Sequence, residues 1–269
     1  METTINHLTF LREQLDNILL HYKGKKVESI EYFSLGMLER LNNSIVSLSI
    51  LIPEYQKDNR IEYSVGIILR SLLLDVLINL NLYILLKEKK EKNESPQFIV
   101  DELTQFANIF LSDGIKHTMD YMETVHEEGV INKEELQEGY NSFVKKYSIF
   151  FDEYKYDGSK PKQVIKNDLS NKKLFKTIMS FPEFRALGNI YDTYNFFSKY
   201  DHFGILYFEL IRQPKEEKDS RITRSVELFF FHVFILLIIL LEINEKDKEL
   251  EQIQHIIGDK MKTIIRPDK

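Results

Sequence analysis

The chain has 269 residues, enough to bury a substantial core, and its 43 % hydrophobic and 29 % charged residues are typical of a globular protein. The formal net charge of −6 argues against bulk attraction to nucleic acid, and the absence of cysteine excludes disulfides, thiolate metal sites and a cysteine nucleophile. Only 10 glycines and 6 prolines interrupt the sequence, which favours long helices. The lack of cysteine and of a signal-peptide pattern leads us to expect a cytoplasmic protein.

Apolar residues recur at helical spacing along most of the chain, beginning with Leu8, Leu11 and Leu15 in a first helix over residues 4–22. The second predicted helix ends before Pro53, and the fourth is interrupted at residues 112–114. Asn132 and Glu135 have the spacing of a capping box at the start of the fifth helix. The helices predicted after the first cover 28–51, 61–89, 97–127, 133–155, 171–179, 181–200, 221–243 and 247–265.

The fold class that follows is all-α, a multi-helix bundle of about eight to ten helices with two central apolar helices, 62–88 and 222–243. We expect residues 1–55 to form an N-terminal helical hairpin packed on a bundle of residues 56–269, the whole being one structural unit. The stretch 228–241 is apolar except for His232, but its 14 residues fall short of the roughly 20 that span a bilayer. We therefore predict a core helix, with a dimer interface or membrane association through 228–241 as the weaker alternatives.

The other central helix, over residues 65–86, carries polar residues that need partners if it is buried. Ser71, Asp75 and Asn79 are four residues apart and form one stripe. Arg70 and Asp75 point about 140° away from each other on the helical wheel. Arg70 therefore needs an anion from another helix.

The segment YNFFSKYDHFG, residues 194–204, combines aromatic residues with Ser198, Lys199, Asp201 and His202. Tyr194, Ser198 and His202 share a helix face, whereas Asp201 points elsewhere, so these residues do not form a ready Ser-His-Asp triad. The sequence has no Gly-rich elbow and no phosphate-binding loop.

A single E-x-x-H unit, Glu123 and His126, lacks the second unit that a di-iron bundle requires. We therefore predict a protein without a metal or another cofactor.

Together the two segments resemble the HEPN-like helical proteins of bacteria, in a branch with an R-S-x-x-E helix and a Y-x-x-x-S-x-x-x-H helix. Arg70 and Ser71 match the first pattern, with Leu74 at the position of the acid and Asp75 directly after it. Tyr194, Ser198 and His202 match the second. The arginine of the family's R-x(4–6)-H motif is absent, because residues 195–198 read Asn-Phe-Phe-Ser.

The resemblance covers roughly residues 60–245 and implies a metal-independent ribonuclease, a toxin or a phage-defence effector. In that chemistry His202 is the general base or acid, and Arg70 or Lys199 stabilises charge on the phosphate. The catalytic residues it implies are Arg70, His202, Ser198, Asp201 and Lys199. The binding residues it implies are Tyr194, Asp75 and Ser71. A homodimer or a partner protein is expected, and RNA could be contacted through a local basic patch such as the lysine-rich segment 159–176.

The alternative interpretation is structural. Arg70 would pair with Asp201 or another buried acid, and His202 would lie at a helix end, so that the pair holds two core helices together. The protein would then be a non-enzymatic helical interaction or regulatory module of a bacterial defence or stress system. The lysine-rich segment 159–176 would in that case be a solvated loop.

Overall fold

The computed structural model describes residues 1–27, 29–152, 160–165, 169–187, 189–201, 209, 212–244 and 247–265. Within them it contains nine α-helices and no strand, which confirms the all-α prediction. The helices are α1 (Glu2–Tyr22), α2 (Ser29–Lys57), α3 (Glu62–Glu91), α4 (Pro96–Glu127), α5 (Lys133–Lys146), α6 (Asn171–Ser180), α7 (Asn189–Ser198), α8 (Lys215–Ile243) and α9 (Lys248–Ile265). Short 3₁₀ turns cover Asn59–Ile61, Ser148–Phe150, Pro182–Leu187 and Lys199–Asp201.

The chain divides into two compact units, one formed by Met1–Val100 and Ser170–Lys269 and the other by Asp101–Leu169. In the larger unit, α3 packs against α2, α6, α7 and α8, and α8 packs in addition against α1 and α9. Both helices are apolar on almost every side, so only a position among several neighbours can bury them. They are the two central apolar helices predicted from the sequence.

By length and composition, two helical segments of the described chain could cross a membrane. Asn59–Glu91 and Lys215–Ile243 each contain an 18-residue window of high mean hydropathy, 1.8 and 2.6 respectively. Within those windows 72 % and 61 % of the residues are buried inside the protein. Buried core helices of soluble proteins have the same length and hydropathy, so these two properties do not by themselves identify a membrane span.

Three helix boundaries differ from those predicted. Helix α2 continues through Pro53 to Lys57, because the added turn buries Ile52 and Tyr55 completely and thereby offsets the hydrogen bond that proline removes. Helix α5 ends at Lys146 and not near 155, since the chain turns to bury Phe150 and Phe151. Helix α8 begins six residues early, at Lys215, directly after Pro214.

The predicted helix 181–200 is divided into a 3₁₀ turn, α7 and a second 3₁₀ turn. The Ser180 hydroxyl, just before this segment, donates to the Thr177 carbonyl at 2.6 Å, so Ser180 belongs to the end of α6. The interruption predicted at residues 112–114 is absent, and α4 continues through it.

The smaller unit packs the C-terminal part of α4 against α5 and the turn after it. Its core consists of the buried residues Ile115, Met119, Leu136, Tyr140, Phe150 and Phe151. The capping box at the start of α5 is present as predicted, with the Glu135 amide donating to the Asn132 side chain at 2.9 Å and the Asn132 amide to Glu135 at 2.8 Å.

Candidate functional site

Two of the predicted site residues lie buried on α7 and use their polar atoms within the fold. The Ser198 hydroxyl donates to the Asn195 carbonyl at 2.7 Å, one turn back on the same helix. The Tyr194 hydroxyl accepts a hydrogen bond of 2.6 Å from the Asn171 amide on α6. Both side chains are therefore anchored, Ser198 to its own helix and Tyr194 to α6.

The 3₁₀ turn that follows α7 is held against α3 by Tyr200. The Tyr200 hydroxyl donates to Glu62 in the first turn of α3. Its ring lies directly over Gly66, where a Cβ atom would be only 2.9 Å from Tyr200 Cδ2. Lys199 is half-buried in the same turn, whereas the Asp201 side chain and all of His202 lie outside the described residues.

Arg70 lies on α3 four residues after Gly66, so it shares the helix face against which Tyr200 packs. Its side chain is half-buried. The predicted convergence of Arg70 with His202, which follows Tyr200 by two residues in the sequence, stays a prediction.

A buried ion pair supports the Tyr200 contact. Lys218 Nζ of α8 lies 2.7 Å from Glu62 Oε2, and both side chains are more than nine-tenths buried. A buried pair of this kind contributes little net stability, but removing either partner leaves an uncompensated charge in the core. Nearby, burial and the neighbouring Asp219 carboxylate raise the pKa of Tyr55 well above its usual range. Lys218 lies before the helix that the sequence pattern predicts over 221–243, whereas in the structure it belongs to α8.

The polar stripe of α3 meets a cation that the sequence analysis did not identify. Arg40 of α2 donates through Nη2 to the Ser71 hydroxyl, and its Nε lies 3.2 Å from Asp75 Oδ2. Asp75 is only 4 % exposed. Burial raises the pKa of this carboxyl to about 6, although the Arg40 guanidinium acts in the opposite direction. The counter-charge of Asp75 is thus supplied by α2 and not by Arg70.

The stripe continues inward to His232 on α8. The Asn79 amide donates to the His232 carbonyl at 2.9 Å and lies 3.3 Å from His232 Nδ1. Burial, with a smaller effect of Arg40, lowers the pKa of His232 to about 3, so its imidazole is neutral at physiological pH. A neutral and completely enclosed imidazole links α3 to α8 and cannot exchange protons with a bound substrate.

The structure therefore sorts the predicted residues into two groups. Ser71 and Asp75 are brought together by Arg40, while Tyr194, Ser198 and Lys199 belong to α7 and the turn after it. The sequence pattern did not identify three charged residues of this region, Arg40, Glu62 and Lys218. Arg40 was missed because an exposed arginine on an amphipathic helix has no distinguishing pattern.

The E-x-x-H unit of the smaller unit is engaged in other contacts. Lys160 Nζ lies 2.6 Å from both Asp120 and Glu123, and His126 Nδ1 lies 3.1 Å from the Ile131 carbonyl. In the part of the chain that the structure describes, no three His, Asp or Glu side chains are grouped so that they could hold a metal ion.

Comparisons with protein-family models, with curated proteins and with solved structures each find no match for this chain.

Proposed function

We propose that this chain is a HEPN-like helical protein that cleaves RNA without a metal ion, with Arg70 and His202 as the central pair. The observation that supports the proposal is the packing of Tyr200 on Gly66. This contact holds the segment that leads to His202 against the face of α3 that carries Arg70, one helical turn further on.

The reaction would be a transfer of the phosphoryl group to the ribose 2′-oxygen. His202 removes the proton from the 2′-hydroxyl, or donates one to the leaving 5′-oxygen. Arg70 or Lys199 stabilises the negative charge that builds up on the phosphate. Asp201 orients the imidazole, and Ser198 retains the lone pairs of its hydroxyl for the same purpose, because its proton is donated to Asn195.

The biological setting that we propose is bacterial and cytoplasmic, as a toxin or a phage-defence effector. A homodimer is part of this proposal, because sites of HEPN-like proteins generally form across two subunits. The net charge of −6 requires that RNA be held by a local patch and not by the field of the whole protein.

The test is RNA cleavage by purified protein in the presence of EDTA, with wild type, His202→Ala and Arg70→Ala. We expect the wild type to cut a single-stranded RNA, to leave a 2′,3′-cyclic phosphate and to spare the same strand with a 2′-deoxyribose at the cut. Both variants should lose cleavage while they keep the circular dichroism of the wild type. Arg12→Ala, which removes an exposed arginine from α1, is the matched control. Equal cleavage by His202→Ala would refute the proposal.

A second function is favoured by the engagement of Ser198 and Tyr194 in hydrogen bonds of the fold. With these groups used to hold α6 and α7 in place, the helices can serve as a rigid interaction or regulatory module of a defence or stress system. We then expect no RNA cleavage by wild type, alone or with cell extract added, and a stable complex with a protein partner encoded beside it. Arg70→Ala would in that case reduce soluble expression and thermal stability.

A further inference from the structure

A groove of about 410 Å³ opens on the larger unit where α2 passes over α3. Its lining includes the polar residues Arg40, Asn43, Ser44 and Ser47 from α2, together with Ile68 from α3. Arg70 does not line this groove, and the inference drawn from the groove does not rest on the proposed ribonuclease.

Arg40 is held in one orientation at this groove. Nη2 donates to the Ser71 hydroxyl, and Nε is paired with the buried carboxylate of Asp75 at 3.2 Å. A guanidinium has five N–H bonds in a rigid plane; one of them is used by Ser71 and the contact with Asp75 is an ion pair, so N–H bonds remain that can donate to a ligand. The Arg40 side chain is about half exposed, and it lines the groove. A ligand in the groove therefore meets an arginine whose rotamer entropy is already lost in the free protein.

The neighbouring side chains are those that complete an oxyanion site. Asn43 offers an amide and Ser44 a hydroxyl within the same lining, whereas the Ser47 hydroxyl donates to the Asn43 carbonyl at 3.3 Å. At Gly36 no atom lies within 4 Å of the position of a Cβ, which leaves room for a group larger than a bare ion. Glu39 is the one acid among the described residues of the lining, and it limits the affinity for a multiply charged ligand.

We propose that this groove is a binding site for a phosphate monoester, with Arg40 as the principal contact. The arginine fork, the Asn43 amide and the Ser44 hydroxyl suit a tetrahedral oxyanion, and the volume of the groove exceeds that of phosphate alone, so that an attached nucleoside has space. A cation is the poorer fit, because Arg40 covers the buried carboxylate beneath the groove.

Binding in the groove is linked to the protonation of Asp75. The charged and titratable groups around Asp75 are Arg40 of α2 and, one turn along the stripe through Asn79, the neutral His232 of α8. An ionised Asp75 shares the charge of Arg40 and repels an incoming anion, whereas a protonated Asp75 does neither. Because burial raises the pKa of Asp75 to about 6, an anion of constant charge should bind more tightly as the pH falls through 6.

The experiment is calorimetric titration of the full chain with adenosine 5′-monophosphate, inorganic phosphate, inorganic sulfate and adenosine. We expect the three anions to bind and adenosine not to bind. If the groove accommodates a nucleoside, adenosine 5′-monophosphate should bind more tightly than phosphate. If the groove accommodates the phosphate group alone, the two affinities should be equal. Sulfate keeps two charges between pH 5 and 8, and its affinity should rise towards acidic pH in the wild type.

Three variants connect this binding to the groove. Arg40→Gln should weaken sulfate binding about tenfold or more, since a charge-assisted hydrogen bond is lost, while Arg12→Gln should not change it. Asn43→Asp leaves Asp75 and its partner in place and should weaken binding comparably, which covers the case that Arg40→Gln does not fold. Asp75→Asn should bind sulfate about tenfold tighter at pH 7.5 and lose the pH dependence. Absence of sulfate and nucleotide binding by the wild type, or equal binding by wild type and Asn43→Asp, overturns the proposal.

Discussion

The contact between Tyr200 and Gly66 can be tested by adding a single methyl group. In the Gly66→Ala variant the new Cβ would lie 2.9 Å from Tyr200 Cδ2, 3.1 Å from Cγ and 3.2 Å from Cε2. Tyr200 has little freedom to retreat, because its hydroxyl is bonded to Glu62 and its ring is stacked 6.1 Å from that of Phe197. The methyl group therefore displaces the turn that precedes His202 from α3.

Two opposing contributions determine how much Gly66→Ala changes the free energy of unfolding. Replacing a helical glycine by alanine stabilises a helix by about 1 kcal/mol, and Gly66 lies within α3. Overpacking of a buried site costs about 1–3 kcal/mol. The net change at Gly66 is then a loss of about 0–2 kcal/mol. Gly36, within α2, has open space in place of the ring, so Gly36→Ala keeps the full gain.

The assay is urea unfolding of the wild type, Gly66→Ala and Gly36→Ala, followed by circular dichroism and by tyrosine fluorescence. The difference in unfolding free energy between the two variants should be about 1–3 kcal/mol, with Gly36→Ala the more stable. A shorter side chain should relieve the clash, so Gly66→Ala combined with Tyr200→Leu should be less than additive with the two single changes. If Gly66→Ala stabilises the protein as much as Gly36→Ala, the packing of Tyr200 on α3 is not as described.

Three further changes test the buried charges and the helix cap. For Asp75, burial raises the pKa from 3.8 to about 6, so the folded protein keeps a proton that the unfolded chain has released. The unfolding free energy should fall by about 2 kcal/mol as pH rises from 4 to 6, and Asp75→Asn should abolish this slope in urea titrations. Lys218→Met should cost about 3–5 kcal/mol by leaving Glu62 buried without its cation, and Glu62→Gln in the same chain should recover part of that loss; an unchanged urea midpoint would contradict the buried pair. Glu135→Ala should speed amide exchange in α5 by removing about 1 kcal/mol of capping, whereas Glu138→Ala on an exposed position of the same helix should not.

The central position of α3 and α8 was predictable because it depends on composition alone. A helix such as α8, with apolar residues on every side from Leu228 to Leu241 except at His232, has no face that water can cover favourably. The same reasoning identified the stripe of Ser71, Asp75 and Asn79, since four-residue spacing fixes which side chains share a direction on α3. These inferences require no knowledge of which helix lies opposite.

The boundaries that were wrong depend on tertiary contacts. Pro53 ends an isolated helix, but the turn beyond it carries Tyr55 into the core, and its burial outweighs the missing hydrogen bond. The segment 215–220 is rich in charge and lies before the helix predicted over 221–243. It is helical because Pro214 starts α8, and Lys218 finds a buried carboxylate in Glu62. Helix propensity depends on local sequence, so it cannot account for the core that surrounds Tyr55 or for the Glu62 carboxylate that pairs with Lys218.

The cation that pairs with Asp75 can be found from the sequence once the packing of the helices is known. The helical wheel established that Arg70 could not serve, but it did not say which neighbour would supply the cation. The sequence of α2 contains one cation before its last turn, Arg40. Once α2 is known to pack on α3, Arg40 is therefore the candidate that α2 offers as a partner for Asp75. A buried acid on a central helix can thus be matched by listing the cations of each candidate neighbour. Arg40 stands out in such a search although, by exposure and periodicity along α2, it resembles a surface residue such as Arg12.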